Sequence, residues 1–121
     1  MRGKGFSMTM WQCKKEIADK PQEICSILDN IIELINMKGL SDFMIAKGGD
    51  FMPGYSVTKI IETSHIACHG FSVNNVYMLS LESCKDFDEI KLKEFIIKEF
   101  QPEGFRLNIY PIDTVVNVLA K

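Results

Sequence analysis

Tyr55–Cys84 reads YSVTKIIETSHIACHGFSVNNVYMLSLESC, and this stretch decides the fold. Ser56–Thr63 carries Val57, Thr58, Ile60, Ile61 and Thr63, β-branched side chains that suit a pleated, half-buried strand. His65–His69 either continues that strand or pairs with it. Gly70–Asn75 is a polar turn, and Val76–Ser83 is a further strand with Tyr77, Leu79 and Leu81 on one face. The same stretch holds both histidines, two of the four cysteines (Cys68 and Cys84), and the serines Ser56 and Ser64. Chemistry is concentrated here, and the flanking segments read as scaffold.

Upstream, Gly5–Cys13 alternates: Phe6, Met8 and Met10 point one way, and Ser7, Thr9 and Trp11 the other. This period of two marks a half-buried strand. After a charged connector, Asp19 and Pro21 are expected to start a helix. Ile24, Ile27, Leu28, Ile31, Leu34 and Ile35 follow at helical spacing, with Gly39 as the expected stop. Leu40–Ala46 is expected to be a strand. Lys47–Asp50 and Pro53-Gly54 mark a loop that carries Phe51.

Downstream, Asp86 with Glu89 three residues on resembles a helix cap, and the helix Asp88–Phe100 presents Leu92, Ile96 and Phe100 on one face. Pro102 and Gly104 end it. Phe105, Leu107 and Ile109 then alternate with polar residues as a last strand, and Asp113–Ala120 is expected to add a short helix. The order is β-α-β-β-β-α-β. It predicts an α+β fold, a two-layer α/β sandwich with both helices on one face of a mainly antiparallel sheet. The opposite sheet face needs cover, which a homodimer would supply.

A chain of 121 residues is read as one domain, residues 1–121. A net charge of −2 without a basic cluster argues against a nucleic-acid partner. No apolar run approaches the ~18 residues that span a bilayer, and no export signal is recognisable, so the expected location is the cytoplasm. Cys13, Cys25, Cys68 and Cys84 form no CxxC pair and are read as thiols, with Cys25 in the core. On a strand, His65 and His69 would stand about 13 Å apart, too far to share a metal. Ser64 and His65 would point to opposite faces, and no Gly-x-Ser-x-Gly elbow is present, which argues against a Ser-His hydrolase.

Gly54-Tyr55-Ser56, then Glu62-Thr63-Ser64-His65-Ile66-Ala67-Cys68-His69, then Cys84, resembles the prokaryotic S-adenosylmethionine decarboxylase proenzyme family. In that family a serine is preceded by another serine at eight residues. It is followed by a histidine at five and a cysteine at twenty, and Ser56, Ser64, His69 and Cys84 keep those intervals. Phe51-Met52-Pro53 resembles the family's Phe-x-Pro loop. Three positions depart: Thr63 stands for a Glu, Val73 for the Glu associated with the substrate ribose, and Ser7 for a His. Asn74 or Asn75 is left to take over the ribose contact.

The resemblance implies a self-processing enzyme whose cofactor is a pyruvoyl group made from Ser64, with the chain cut between Thr63 and Ser64. It assigns assistance in processing to His69 and Ser56, and return of a proton to the decarboxylated carbon to Cys84. Phe51 would stack on the adenine of the substrate. The implied substrate is S-adenosylmethionine, and the implied product is an aminopropyl donor for polyamine synthesis. The alternatives are an arginine or ornithine decarboxylase of the same kind, and an unprocessed chain with a regulatory or structural role.

Overall fold

The structure is a computed structural model that describes residues 3–62 and 64–112. Strand β1 (Gly3–Trp11) is followed by helix α1 (Pro21–Leu34), a short β2 (Met44–Lys47), β3 (Tyr55–Ile61) and β4 (Ser64–Phe71). A single 3-10 turn (Val73–Asn75) leads into β5 (Val76–Ser83), helix α2 (Glu89–Phe100) and β6 (Gly104–Ile112). The strands form one antiparallel sheet in the order β2-β3-β4-β5-β1-β6.

The α+β sandwich expected from the pattern is the observed fold, with one strand more than β-α-β-β-β-α-β. His65–His69 does not prolong the preceding strand but folds back on it, with Ile61 opposite Ser64 and Ser56 opposite His69. Only Glu62 and Thr63 separate the two strands. Neither is a glycine, proline or asparagine, so the reversal carries no turn signal in the sequence.

Alternation sorts the sheet into two faces. Phe6, Met8 and Met10 of β1, Val57 and Ile61 of β3, Ile66 and Cys68 of β4, and Tyr77, Leu79 and Leu81 of β5 are all buried under the helices. Ile24, Leu28 and Ile31 of α1, and Leu92, Ile96 and Phe100 of α2, meet them from above. Each such side chain removed from water contributes ~1.5–3 kcal/mol, which is why these positions hold the layers together. Tyr77 is buried among them, and its hydroxyl accepts from Ile17 N–H at 2.8 Å and donates to the Lys15 carbonyl at 3.0 Å. Among the described residues, no helix covers the opposite face.

Three local expectations are corrected. Helix α1 ends at Leu34, and its stop is Asn36, not Gly39. Asn36 takes a left-handed φ of 57°, and the N–H groups of Asn36 and Met37 bond back to Glu33 and Ile32 carbonyls at 3.0 Å. This is a Schellman closure in which asparagine replaces glycine. Helix α2 is capped by Asp88, whose carboxylate accepts from Ile90 and Lys91 N–H at 3.1 and 3.0 Å. Asp86 pairs instead with Lys4 at 2.8 Å. The strand expected at Leu40–Ala46 shrinks to β2, with Gly39 making an isolated bridge to Ile61. The helix expected at Asp113–Ala120 lies outside the described residues.

Candidate active site

Ser56 and His69 stand opposite one another on the β3–β4 ladder, on the open face. Ser56 Oγ lies 2.7 Å from His69 Nδ1, so a hydroxyl is held on an imidazole before any ligand arrives. His65, two rungs along on the same face, is taken up by Glu82 on β5, at 3.9 Å from its Nε2. Glu82 also accepts from the Tyr110 hydroxyl of β6 at 2.5 Å. That contact pushes the tyrosine pKa up, because ionising the phenol would place a second negative charge beside the carboxylate. Gly5 lies between them on β1, and a Cβ there would collide with the tyrosine ring.

Ser64 opens β4 immediately after the two-residue connection, opposite Ile61 on one side and Ser83 on the other. Its parity turns it to the helix side. Ser64 Oγ lies 3.2 Å from the Glu62 carbonyl and 3.7 Å from Met37 Sδ. Cys84 follows the last residue of β5, so Ser64 and Cys84 belong to the same end of the sheet. Cys84 is partly exposed, while Cys13, Cys25 and Cys68 are buried. Burial pushes the Cys13 and Cys68 thiols up to about 11 and about 12.

The four residues selected by spacing therefore form two groups. Ser56 and His69 are in contact, and Ser64 and Cys84 are near neighbours in register. The two groups are separated by five residues of β4, about 16 Å at ~3.3 Å per residue.

Phe51 stands almost fully exposed in the loop before β3. The loop is pinned at both ends: Gly48 N–H donates to the Gly54 carbonyl at 2.7 Å, and Ser72 N–H donates to the Pro53 carbonyl at 2.9 Å. Gly54 has φ 139° and a Cβ there would strike the Gly70 carbonyl, so only glycine lets the loop close on β4. Between loop and sheet lies a cavity of about 400 Å³. Phe51, Met52 and Pro53 wall one side, and Phe71, Val76 and Met78 form the floor, with Val73 at the hairpin tip. Met78 is the register partner of His69, so this cavity adjoins the Ser56–His69 pair. The floor residues were not singled out in the sequence. Their signal is parity: they are apolar residues on the sheet face that should otherwise be polar.

Of the two asparagines considered for the ribose contact, Asn75 is engaged elsewhere, donating to Glu16 at 3.1 Å. Neither lines the cavity.

This arrangement is that of an antiparallel α+β sandwich with serine hydroxyls and an imidazole on β3 and β4 and a thiol just after β5. The family model of S-adenosylmethionine decarboxylase matches residues 5–111, and the chain belongs to that family. No curated protein matches it. Among solved structures it is similar to the crystal structure of the adenosylmethionine decarboxylase from Aquifex aeolicus VF5. The TM-score is 0.74 at 14% identity, over 89% of this chain and 88% of that one. At that identity the likeness concerns the fold. No helix among the described residues is long and apolar enough to cross a membrane.

Proposed function

We propose that the chain is a self-processing, pyruvoyl-dependent decarboxylase that converts S-adenosylmethionine to its aminopropyl-donating product for polyamine synthesis. The observation that carries this reading is the hydrogen-bonded Ser56–His69 pair, formed by two residues to which the family resemblance assigns assistance in processing. Family membership gives the decarboxylase class.

In processing, Ser64 Oγ attacks the Thr63 carbonyl carbon, and the Thr63–Ser64 C–N bond breaks as the ester forms. Elimination then breaks the Ser64 Cβ–Oγ bond, releasing Thr63 with a carboxylate. Loss of ammonia to water leaves the carbonyl at residue 64. The position fits: Ser64 follows a short chain reversal, is partly accessible, and carries a hydroxyl already directed at the backbone of that reversal. The pyruvoyl group supplies an electrophilic carbonyl that binds the substrate amine and draws off the electrons left by carbon dioxide. Cys84 holds the proton that the substrate carbon then receives. Ser56 and His69 supply a hydroxyl and an imidazole for proton transfer and for the oxyanion of the acyl shift.

Because the Ser56–His69 pair and Ser64 sit at opposite ends of β4, the pair on the open face and Ser64 turned to the helix side, a two-fold packing of open faces would bring the pair of one protomer to the end of the sheet at which its partner carries Ser64. A homodimer so built contains two composite sites and covers the open face. Phe51 and the cavity beside His69 then receive the distal part of the substrate.

Intact mass under denaturing conditions tests the reading. The expected result is a 63-residue piece and a 58-residue piece blocked at its N-terminus, with Ser64→Ala remaining whole. A wild-type protein that stays one chain after long incubation would instead favour the unprocessed, regulatory alternative.

A further inference from the structure

We infer that Ser83 is a positioning residue: its buried hydroxyl fixes the backbone that carries the Cys84 thiol, so that the thiol returns its proton to one carbon only. The inference rests on the proposed reading of Cys84 as proton donor and adds what holds that donor in place. Among the described residues Ser83 is the one buried polar side chain, at 1% exposure. A polar group taken out of water needs partners, and where they lie shows what the burial secures. Both belong to Lys85: Ser83 Oγ accepts from the Lys85 N–H at 2.9 Å and donates to the Lys85 carbonyl at 2.7 Å. Only Cys84 stands between, so the hydroxyl closes a short loop around the thiol residue.

No ladder does this in its place, because Ser83 is the last residue of β5 paired with either β4 or β1. The Lys85 ammonium donates to the Asn36 carbonyl at 3.1 Å, but that bond is exposed and runs through a flexible stem. Ser83 is also the register partner of Ser64, and the two hydroxyls rest on Met37 Sδ at 3.8 and 3.7 Å. It therefore joins the residue that becomes the carbonyl to the residue that returns the proton. The need is chemical. Once carbon dioxide has left, the electron pair is shared by two carbons joined through the substrate nitrogen, one from the substrate and one from residue 64. A proton on the substrate carbon, followed by water, releases the amine product and restores the carbonyl at residue 64. A proton on the residue-64 carbon, followed by water, releases an aldehyde and leaves an alanine with a free amine heading the second fragment. Each route takes up one proton and one water, and only the proton's destination differs.

The test is a double-mutant cycle. Ser83→Ala should still be cut, should lower the decarboxylation rate about tenfold or more, as a slightly misplaced group does, and should raise the share of second fragments that begin with a free alanine, read by N-terminal sequencing after turnover. In a Cys84→Ala background the same change should cost less than about twofold, because nothing is left to position. Ser83→Thr, which keeps the hydroxyl, should stay within about threefold of wild type. An equal loss in both backgrounds, or an unchanged share of alanine ends, would overturn the inference and make Ser83 a structural residue. Two further measurements use full-length Ser64→Ala, which cannot be cut. There the Lys85 N–H should exchange slowly with deuterium although it lies beyond the ladders. Adding Ser83→Ala should abolish that protection and raise the rate of Cys84 alkylation about threefold or more. Fast exchange at Lys85, or alkylation that Ser83→Ala does not move, would likewise overturn the inference. If Ser83→Ala fails to fold or to be cut, the Lys85 exchange in Ser64→Ala decides. An uncut wild type that shows both signatures removes the enzyme reading, while the hold of Ser83 on Cys84 stands.

Discussion

Ser56 Oγ and His69 Nδ1 lie 2.7 Å apart across one rung of the β3–β4 ladder, on the face of the sheet opposite the helices α1 and α2. Thirteen residues separate them in sequence, and the hairpin register alone brings them together. Replacing either partner should therefore slow the acyl shift without unfolding the chain. Ser56→Ala and His69→Ala are expected to reduce the cleavage rate by ~10²–10⁴-fold, the usual contribution of a positioned proton-transfer group. Mass spectrometry over time gives the rate, and unchanged thermal unfolding of both variants separates this from a structural effect.

The distance along β4 from Ser64 to His69 gives a second expectation. If each pair serves the Ser64 of its partner, co-expressed Ser64→Ala and His69→Ala chains should complement. In the mixed dimer the His69→Ala chain should be cut at close to the wild-type rate, while its own homodimer is cut slowly. A mixture no faster than the His69→Ala protein alone would assign the pair to its own chain.

Thiol chemistry separates Cys84 from the other cysteines. Cys13 and Cys68 are buried, with pKa values pushed to about 11 and about 12, and they stay protonated and inaccessible near neutrality. Iodoacetamide at about pH 8 should alkylate Cys84 first, with one adduct per chain by peptide mapping. Turnover should fall with that adduct, and Cys84→Ala should leave cleavage intact while impairing decarboxylation. Equal labelling of all four thiols in the folded protein would contradict the assignment.

Lys4 gives a pH signature. Burial opposes its charge, but Asp86 and Glu89 together outweigh that and raise its pKa above the usual lysine value. Hydrogen bonding to Lys4 in turn pulls both carboxylates below their ordinary range. The carboxylate contribution is present above the unfolded carboxylate pKa and is lost as pH falls through the lower folded value. The lysine contribution is present below the unfolded lysine pKa and is lost as pH rises through the higher folded value. Lys4→Met should thus lower the unfolding temperature modestly at neutral pH. Its difference from wild type should shrink as pH falls below the ordinary carboxylate range and as pH rises above the ordinary lysine value.

Much of the fold was legible because alternation leaves a plain trace. Phe6, Met8 and Met10 are buried as their period of two predicts, and the stripe of α1 from Ile24 to Ile31 faces the sheet. What was not legible depended on geometry that spacing does not encode. Asn36 ends α1 because it tolerates a left-handed φ, a role that the sequence assigned to Gly39. The insertion of β1 between β5 and β6 is set by long-range pairing. For the site, spacing selected Ser56, Ser64, His69 and Cys84 as one group. Strand register then divided them between two ends of the sheet, since one residue of offset reverses the face and five separate the ends. The cavity floor was missed because Phe71 reads as part of the polar turn Gly70–Asn75, and Val76 and Met78 read as ordinary strand residues until their face is known.

The strand order also determines what a cut at residue 63 would leave behind. The first fragment would own β1, β2 and β3, and the second β4, β5 and β6. In the order β2-β3-β4-β5-β1-β6 the two are interleaved, meeting along the β3–β4, β5–β1 and β1–β6 ladders. Three seams hold the halves, so the nicked protein should persist as one body in native buffer. After full denaturation, however, its recovery becomes a bimolecular reaction. The uncut chain should refold at a rate independent of dilution, and the cut one should refold more slowly as it is diluted. Maturation would then commit the molecule to a folded state that it reached as a single chain and can regain only by reassociation.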